Sequence, residues 1–247
     1  MPHSRLELTP GLWLDARRAV WLPDESLLAV ADLHLGYPWS HRAAGNLLPI
    51  AADDGTIRRL AELVNEYRPR QLAVLGDVVH GFAAPAPVRE ELRRLVAEVG
   101  THTCLRLLAG NHDQWLPELL SEAGLEITVE HELEIGPHLL LHGHIGKDVP
   151  SRMTTLREKR GRVIFGHEHP ALTLSAGVAT SARCPCFLAA EDALVLPAFS
   201  TWAAGTNIID AEFMSPFAQA TRFDHAIAIV AGKLLRLPLG GAAITRD

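Results

Sequence analysis

Short apolar runs alternate with amphipathic stretches through the first half of the chain. SLLAVADLHLG (26–36) opens as a buried strand and ends in polar residues. A loop containing Gly45 and Pro49 follows. Asp53 to Tyr67 then reads as a helix, because Ile57, Leu60, Ala61 and Val64 recur at i, i+3, i+4 and i+7. Asp53 or Asp54 is expected to cap its first turn, and Arg68-Pro69 to stop it. QLAVLGDVVHG (71–81) is a second strand-then-loop unit. Val88, Leu92, Leu95, Val96 and Val99 predict a second helix, closed by Gly100. CLRLLAGNHD (104–113) is the third such unit, and a short helix is expected from Pro117 to Ala123.

The texture then changes. ITVEHELEI (127–135) alternates with period two and reads as one half-buried strand. HLLLHGH, RVIFGHEHP, LTLSAG, CFLAAEDALVLPAF and AIAIVAGKLLRLPL make the rest strand-rich, with Arg152 to Arg160 as the expected helical interruption. No internal repeat or linker divides the chain. The pattern predicts an α/β (α+β) fold in which two sheets pack face to face with helices outside, as a single domain over 1–247.

Composition narrows the classes of function. Apolar residues are 48% and charged residues 21% of the chain, enough for a sizeable core, which excludes a disordered or fibrous protein. The net charge of −6 argues against binding nucleic acid through bulk positive charge, although it permits a local basic groove. No apolar run approaches the roughly eighteen residues of a membrane span. The opening MPHSRLELTPGLWLD does not resemble a secretory signal. Three cysteines, with Cys184 and Cys186 one residue apart and no partners for a zinc site, fit a reducing compartment. The expected location is the cytoplasm.

The 13 histidines change the picture. Five apolar runs end in metal-competent clusters: Asp32-Leu33-His34, Gly76-Asp77, Gly110-Asn111-His112-Asp113, His142-Gly143-His144 and Gly166-His167-Glu168-His169. Each alone has an ordinary explanation as turn residues or an exposed strand face. Together they fall at the expected C-terminal ends of strands, where open sheets collect functional loops. Their donors suffice for two metal ions sharing one carboxylate. One intervening residue lets Asp32 and His34 reach a common ion, and likewise His167 and His169.

This ordered set resembles the calcineurin-like metallophosphoesterase superfamily, over about Asp32 to His169. The resemblance implies a four-layer sandwich of two sheets flanked by helices. It implies that Asp32, His34 and His169 hold one metal, that Asn111, His142 and His167 hold the other, and that Asp77 bridges them. His112 matches the general acid, with Asp113 as its orienting partner. His142 is preferred to His144 on the family's His-Gly pattern. The implied chemistry is attack on phosphorus by a metal-bridged hydroxide, with an imidazolium protonating the leaving alkoxide. Mixed nitrogen and oxygen donors without thiolate leave manganese, iron or zinc open, and the resemblance points to manganese.

Finer features are similar to the bacterial ligase-associated DNA-damage-response metallophosphoesterases, relatives of the SbcD-like enzymes. They are DLHLG, His41-Arg42 through Pro49, GDVVH with His80, GHEHP, and RCPCFL with LVLPAF. This implies a manganese-dependent DNA endonuclease preferring single strands, with a functional link to a DNA ligase and a helicase. Tyr37 and Ser200-Thr201-Trp202 depart from the subgroup's pattern, at positions that bear on substrate preference. His80, Arg42, Arg157 and Arg160 are candidate substrate contacts, the last two within a basic stretch from Arg152 to Arg162. Tyr37, Trp39 and Trp202 are candidates for stacking unpaired bases or for local packing. Two other readings stand beside the endonuclease. One is a nucleotide phosphodiesterase or phosphatase with a closed pocket, and the other is a non-catalytic scaffold of the same fold.

Overall fold

The computed structural model describes residues 3–46, 48, 55–100, 103–175, 181–203, 205–209 and 212–239. Among these, the first sheet runs in chain order: β1 (Arg5–Thr9), β2 (Leu12–Asp15), β3 (Ala19–Leu22), β4 (Leu27–Val30), β5 (Gln71–Leu75), β6 (Cys104–Leu108) and β7 (Val129–Glu130). β1 to β4 form an antiparallel meander, while β4 to β7 are parallel. Parallel neighbours need crossover connections. These carry α1 (Tyr37–Ala43), α2 (Thr56–Tyr67), α3 (Pro85–Val99) and α4 (Leu116–Glu122).

The second sheet comprises β8 (Glu132–Ile135), β9 (His138–Leu141), β10 (Val163–Phe165), β11 (Pro170–Ser175), β12 (Ser181–Ala189), β13 (Ala193–Val195), β14 (Thr206–Asn207), β15 (His225–Val230) and β16 (Lys233–Pro238). Its order is β14-β11-β12-β13-β10-β9-β8, with the β15–β16 hairpin attached to β12. β9, β10 and β13 are parallel. α5 (Val149–Glu158) and α6 (Pro216–Gln219) cover this half.

Side-chain alternation builds four layers from these elements. Along β4, Leu27 and Ala29 point inward and join Leu75 and Leu108 against Leu140, Ile164, Phe187 and Leu194 of the second sheet. Leu28 and Val30 point outward, packing with Leu72 and Val74 against Leu60 and Leu63 of α2 and Leu92 and Leu95 of α3. In the second sheet, Val163, Phe165 and Leu188 face outward onto Met153 and Leu156 of α5 and Phe217 of α6. Strands buried on both faces explain the near-continuous apolar runs.

Several expected boundaries shift. α2 begins at Thr56 behind Gly55, and Asp53 and Asp54 lie outside the described residues. α3 begins three residues before Val88, with Pro85 in its first turn, where the missing N–H costs nothing. ITVEHELEI is two strands, because the chain changes sheets at His131: β7 closes the first sheet and β8 opens the second. α1 occupies part of what reads as a loop.

Candidate two-metal centre

The five motifs follow β4, β5, β6, β9 and β10, all parallel strands, so their loops gather at one end of the two packed sheets. In three of the motifs the glycine before the first polar residue leaves room for a neighbouring motif. A Cβ on Gly76 would lie 2.4 Å from the His142 ring, one on Gly110 would lie 2.2 Å from Asp77 Oδ1, and one on Gly166 2.6 Å from Asp32 Oδ2. The backbone is strained in the same place. Asp32, His34, Asp77, His167 and His169 all have positive φ, between 45° and 68°. Such non-glycine conformations cost about 1–3 kcal/mol each and persist where surrounding structure over-determines them.

Two donor groups result. Asp32, His34, Asp77 and His169 form one, and Asp77, His142 and His167 the other, each with its ligand atoms within 4.8 Å of one another. His34 Nε2 stands 3.3 Å from His169 Nε2, and His169 Nε2 3.4 Å from Asp32 Oδ1. His142 Nε2 stands 3.1 Å from Asn111 Oδ1 and 3.2 Å from His167 Nδ1. Asp77 belongs to both groups: its Oδ1 is 3.5 Å from His142 Nε2 and its Oδ2 is 3.8 Å from His34 Nε2.

These separations fit metal ions. Donors about 2.1 Å from a common ion stand about 3.0–3.4 Å from one another. His142 sharpens the test, because its Nδ1–H donates to the Leu75 carbonyl at 2.9 Å. In the neutral ring its Nε2 is then an acceptor facing the acceptors Asn111 Oδ1 and Asp77 Oδ1, an arrangement that suits a metal ion. Burial pushes His34 down to about 3 and His167 down to about 4, so both imidazoles are neutral donors at pH 7. Burial would raise Asp32, but the surrounding histidines, His169 foremost, hold it below the usual carboxylate range.

His112 sits at the rim of this cluster. Its backbone N–H donates to Asp77 Oδ1 at 3.0 Å, and its ring stacks on His80 with centroids 5.1 Å apart and meets His34 edge-on at 5.4 Å. His80 Nδ1 is 3.3 Å from His34 Nδ1, so it steadies the nitrogen that points away from the donor group. Asp113 does something other than the resemblance implies. Its carboxylate accepts from the N–H groups of Gly110, Val78 and Val79 at 2.8, 3.2 and 3.0 Å. Among the described residues no hydrogen bond joins it to the His112 ring. It stitches the β5 loop to the β6 loop, and burial lifts its carboxyl to about 6 despite three donors.

The model of the calcineurin-like phosphoesterase family matches residues 26–169, more than half of the chain and every motif described above. The chain belongs to this family. Among solved structures it is similar to the Pseudomonas putida nuclease MPE, at 24% identity and a TM-score of 0.63, covering 96% of this chain and 100% of that one. No curated protein matches.

The phosphoesterase does not bring every candidate to its site. Arg42 is exposed in the last turn of α1, next to His41, whose ring touches Tyr37 and His80. Arg157 pairs with Asp192 at 2.6 Å, and the Asp192 carbonyl accepts from Val163 at the start of β10. Arg160 also precedes that strand. Both arginines are thus at the opposite end of β10 from His167. The rest of the basic stretch is committed too: Arg152 to Glu132 at 2.6 Å, Lys159 to Glu134 at 3.8 Å, and buried Arg162 to the Ala190 carbonyl and Thr9. A sequence count of charges misses these pairings because each partner is distant in the chain. His144 lies beside the second donor group, its ring 5.1 Å from that of His142, with a buried Nδ1 that has no hydrogen-bond partner among the described residues.

Sequence reasoning also missed Arg18 and Arg59, which hold the loop after β13 against Asp32. Arg18 donates to the carbonyls of Ala198 and Ser200 at 2.8 and 2.7 Å, and Arg59 to that of Phe199 at 2.6 Å. Ser200 N–H donates in turn to the Asp32 carbonyl at 3.0 Å. No motif marks these arginines.

Proposed function

We propose that this phosphoesterase is a two-metal phosphodiesterase that cuts single-stranded DNA internally, with manganese in the site. The observation that carries the two-metal reading is the division of Asp77, whose Oδ1 faces His142 while its Oδ2 faces His34. Asp32, His34 and His169 would hold one ion and Asn111, His142 and His167 the other, with Asp77 common to both. When bound, two such ions supply Lewis-acid charge and an activated water for attack on phosphorus. Mixed imidazole, amide and carboxylate donors suit manganese, and equally admit iron or zinc.

The chain's own residues do the rest. His112, part-exposed at the rim, gives its proton to the leaving oxygen, and the stacked His80 ring fixes the plane from which it does so. Asp32 accepts from the His167 N–H at 3.3 Å and so keeps the β10 loop in register with β4. A nucleic-acid substrate is supported by the nuclease among its structural relatives. The resemblance noted in the sequence supports action beside a DNA ligase and a helicase, the cysteine pattern supports a cytoplasmic location, and the unbroken composition supports one domain over 1–247.

A second reading is a phosphodiesterase of nucleotides. It is favoured by the ion pairing of Arg152, Arg157 and Lys159, which removes the basic track a polymer would follow. Closed circular single-stranded DNA separates the two. Metal-stripped protein resupplied with manganese should linearise the circle, and Asp77→Ala should not. Intact circles, with hydrolysis of a small diester retained, would leave the nucleotide reading.

A further inference from the structure

A series of aromatic rings leads away from His112. The His112 ring stacks on His80 at 5.1 Å and 18°, His80 meets Tyr37 at 4.4 Å, and Tyr37 stacks on Trp202 at 5.8 Å and 12°. His41 flanks the series, 4.3 Å from Tyr37 and 5.8 Å from His80. All five rings are part-exposed, whereas rings that serve only to fill a core are covered. Trp39 is a different case: its indole N–H is tied to Glu91 of α3 at 3.2 Å.

Both ends of the series are fixed relative to the donor groups. Tyr37 N–H donates to the His34 carbonyl at 3.1 Å, and the preceding Gly36 N–H donates to Glu91 at 2.7 Å. Trp202 N–H donates to Ser200 Oγ at 3.2 Å, in the loop that Arg18, Arg59 and the Asp32 carbonyl hold in place. The rings are therefore presented at a set distance from the reacting centre, as a stacking surface must be. Tyr37, and the stretch Ser200-Thr201-Trp202 that carries the second ring, also depart from the subgroup that the sequence resembles.

We infer that Tyr37 and Trp202, a near-parallel pair whose Tyr37 ring meets His80 at 48°, form a shelf on which an unpaired nucleobase stacks beside the scissile phosphate. This rests on the phosphodiesterase reading above. The series starts at His112, the residue that protonates the leaving oxygen, so the stacked base belongs to the nucleotide that departs. Every base has a π face, so the shelf selects unpaired nucleic acid with little regard to sequence. It also supplies contact area that the committed arginines do not.

The test is a cycle between protein and substrate. Wild type, Trp202→Ala and Trp202→Phe are compared on a tetrathymidylate and on the same oligonucleotide made abasic on one side of the cut or the other. The ends of the products identify the departing nucleotide. On the intact oligonucleotide, Trp202→Ala should lower kcat/KM about tenfold, the scale of one base–aromatic stack, and Trp202→Phe should recover most of the loss. Removing the departing base should cost wild type about the same factor, with no further loss when both changes are combined. Losses that multiply, or an abasic substrate cut at the intact rate, would overturn the shelf. The same cycle read as Kd by fluorescence anisotropy needs no turnover. Base-dependent coupling without cleavage would sink the phosphodiesterase reading and keep the shelf. Cleavage without coupling would do the reverse.

Discussion

His142 donates its Nδ1–H to the Leu75 carbonyl across 2.9 Å, which leaves its Nε2 lone pair aimed between Asn111 and Asp77. The contact exists because Gly76, the residue after Leu75, has no side chain. A Cβ there would meet the ring at 2.4 Å, on a backbone with φ of 77°. Gly76→Ala should displace His142 and weaken the second metal site by about 10–100-fold, the usual effect of disturbing a ligand's support. Metal content after gel filtration should fall from two ions per chain towards one. Two retained ions would show that His142 is not a ligand.

Among the described residues His112 contacts the donor groups through its backbone N–H, on Asp77, and an edge-type ring contact with His34. His112→Ala should therefore keep both metals and slow hydrolysis of an alkyl-leaving diester by about 10²–10⁴-fold. The loss should be much smaller for a nitrophenolate leaving group, which needs no proton. Equal losses on both substrates would remove His112 as the acid.

Asp113 predicts a stability effect in place of a catalytic one. Asp113→Ala strands the N–H groups of Gly110, Val78 and Val79 in a buried loop, at about 1–3 kcal/mol for each that water does not reach. Urea unfolding should register the loss. An unchanged midpoint with activity as low as that of His112→Ala would restore the orienting role.

The pH dependence of stability has one source far from the site. Asp15 is fully buried and would be raised by burial. The Arg17 guanidinium and N–H and the Tyr67 hydroxyl outweigh this and hold it below the usual carboxylate range. A lowered carboxyl contributes fully above its unfolded pKa of about 4 and loses that contribution as the pH falls through the folded value. Asp15→Asn should cost about 3 kcal/mol at neutral pH, less than a lone buried charge would, because Glu66 still pairs with Arg17 at 2.6 Å. Its stability should then be flatter than wild type between pH 5 and about 3 in urea titrations. Parallel curves would assign the acid sensitivity elsewhere.

The sequence was most legible where strand and loop met. Period-two and buried runs ended in polar clusters, and those clusters are the residues that converge. Two sheets packed face to face with helices outside followed from strand–helix alternation in the first half and a strand-rich second half, and the four layers from the family resemblance. What was hidden depends on distant partners. Asp113 stands next to His112 in the chain, yet its carboxylate serves backbone N–H groups from another loop. The cations from Arg152 to Arg162 form a cluster in sequence, but Arg152, Lys159 and Arg157 pair with Glu132, Glu134 and Asp192, and Arg162 bonds the Ala190 carbonyl and Thr9. α1 lies in a segment without a clear helical repeat of apolar residues, and Pro38 in its first turn is compatible with the helix. The positive φ values of the candidate ligands have no signature in Asp or His, unlike in glycine.

Metal titration separates a bridged two-ion centre from a single-ion site. Metal-stripped protein should regain hydrolysis of a small phosphodiester as manganese is added, reaching its plateau at two ions per chain, while Asp77→Ala stays inactive at every ratio. A plateau at one ion, or activity in Asp77→Ala equal to wild type, would contradict a centre bridged by Asp77.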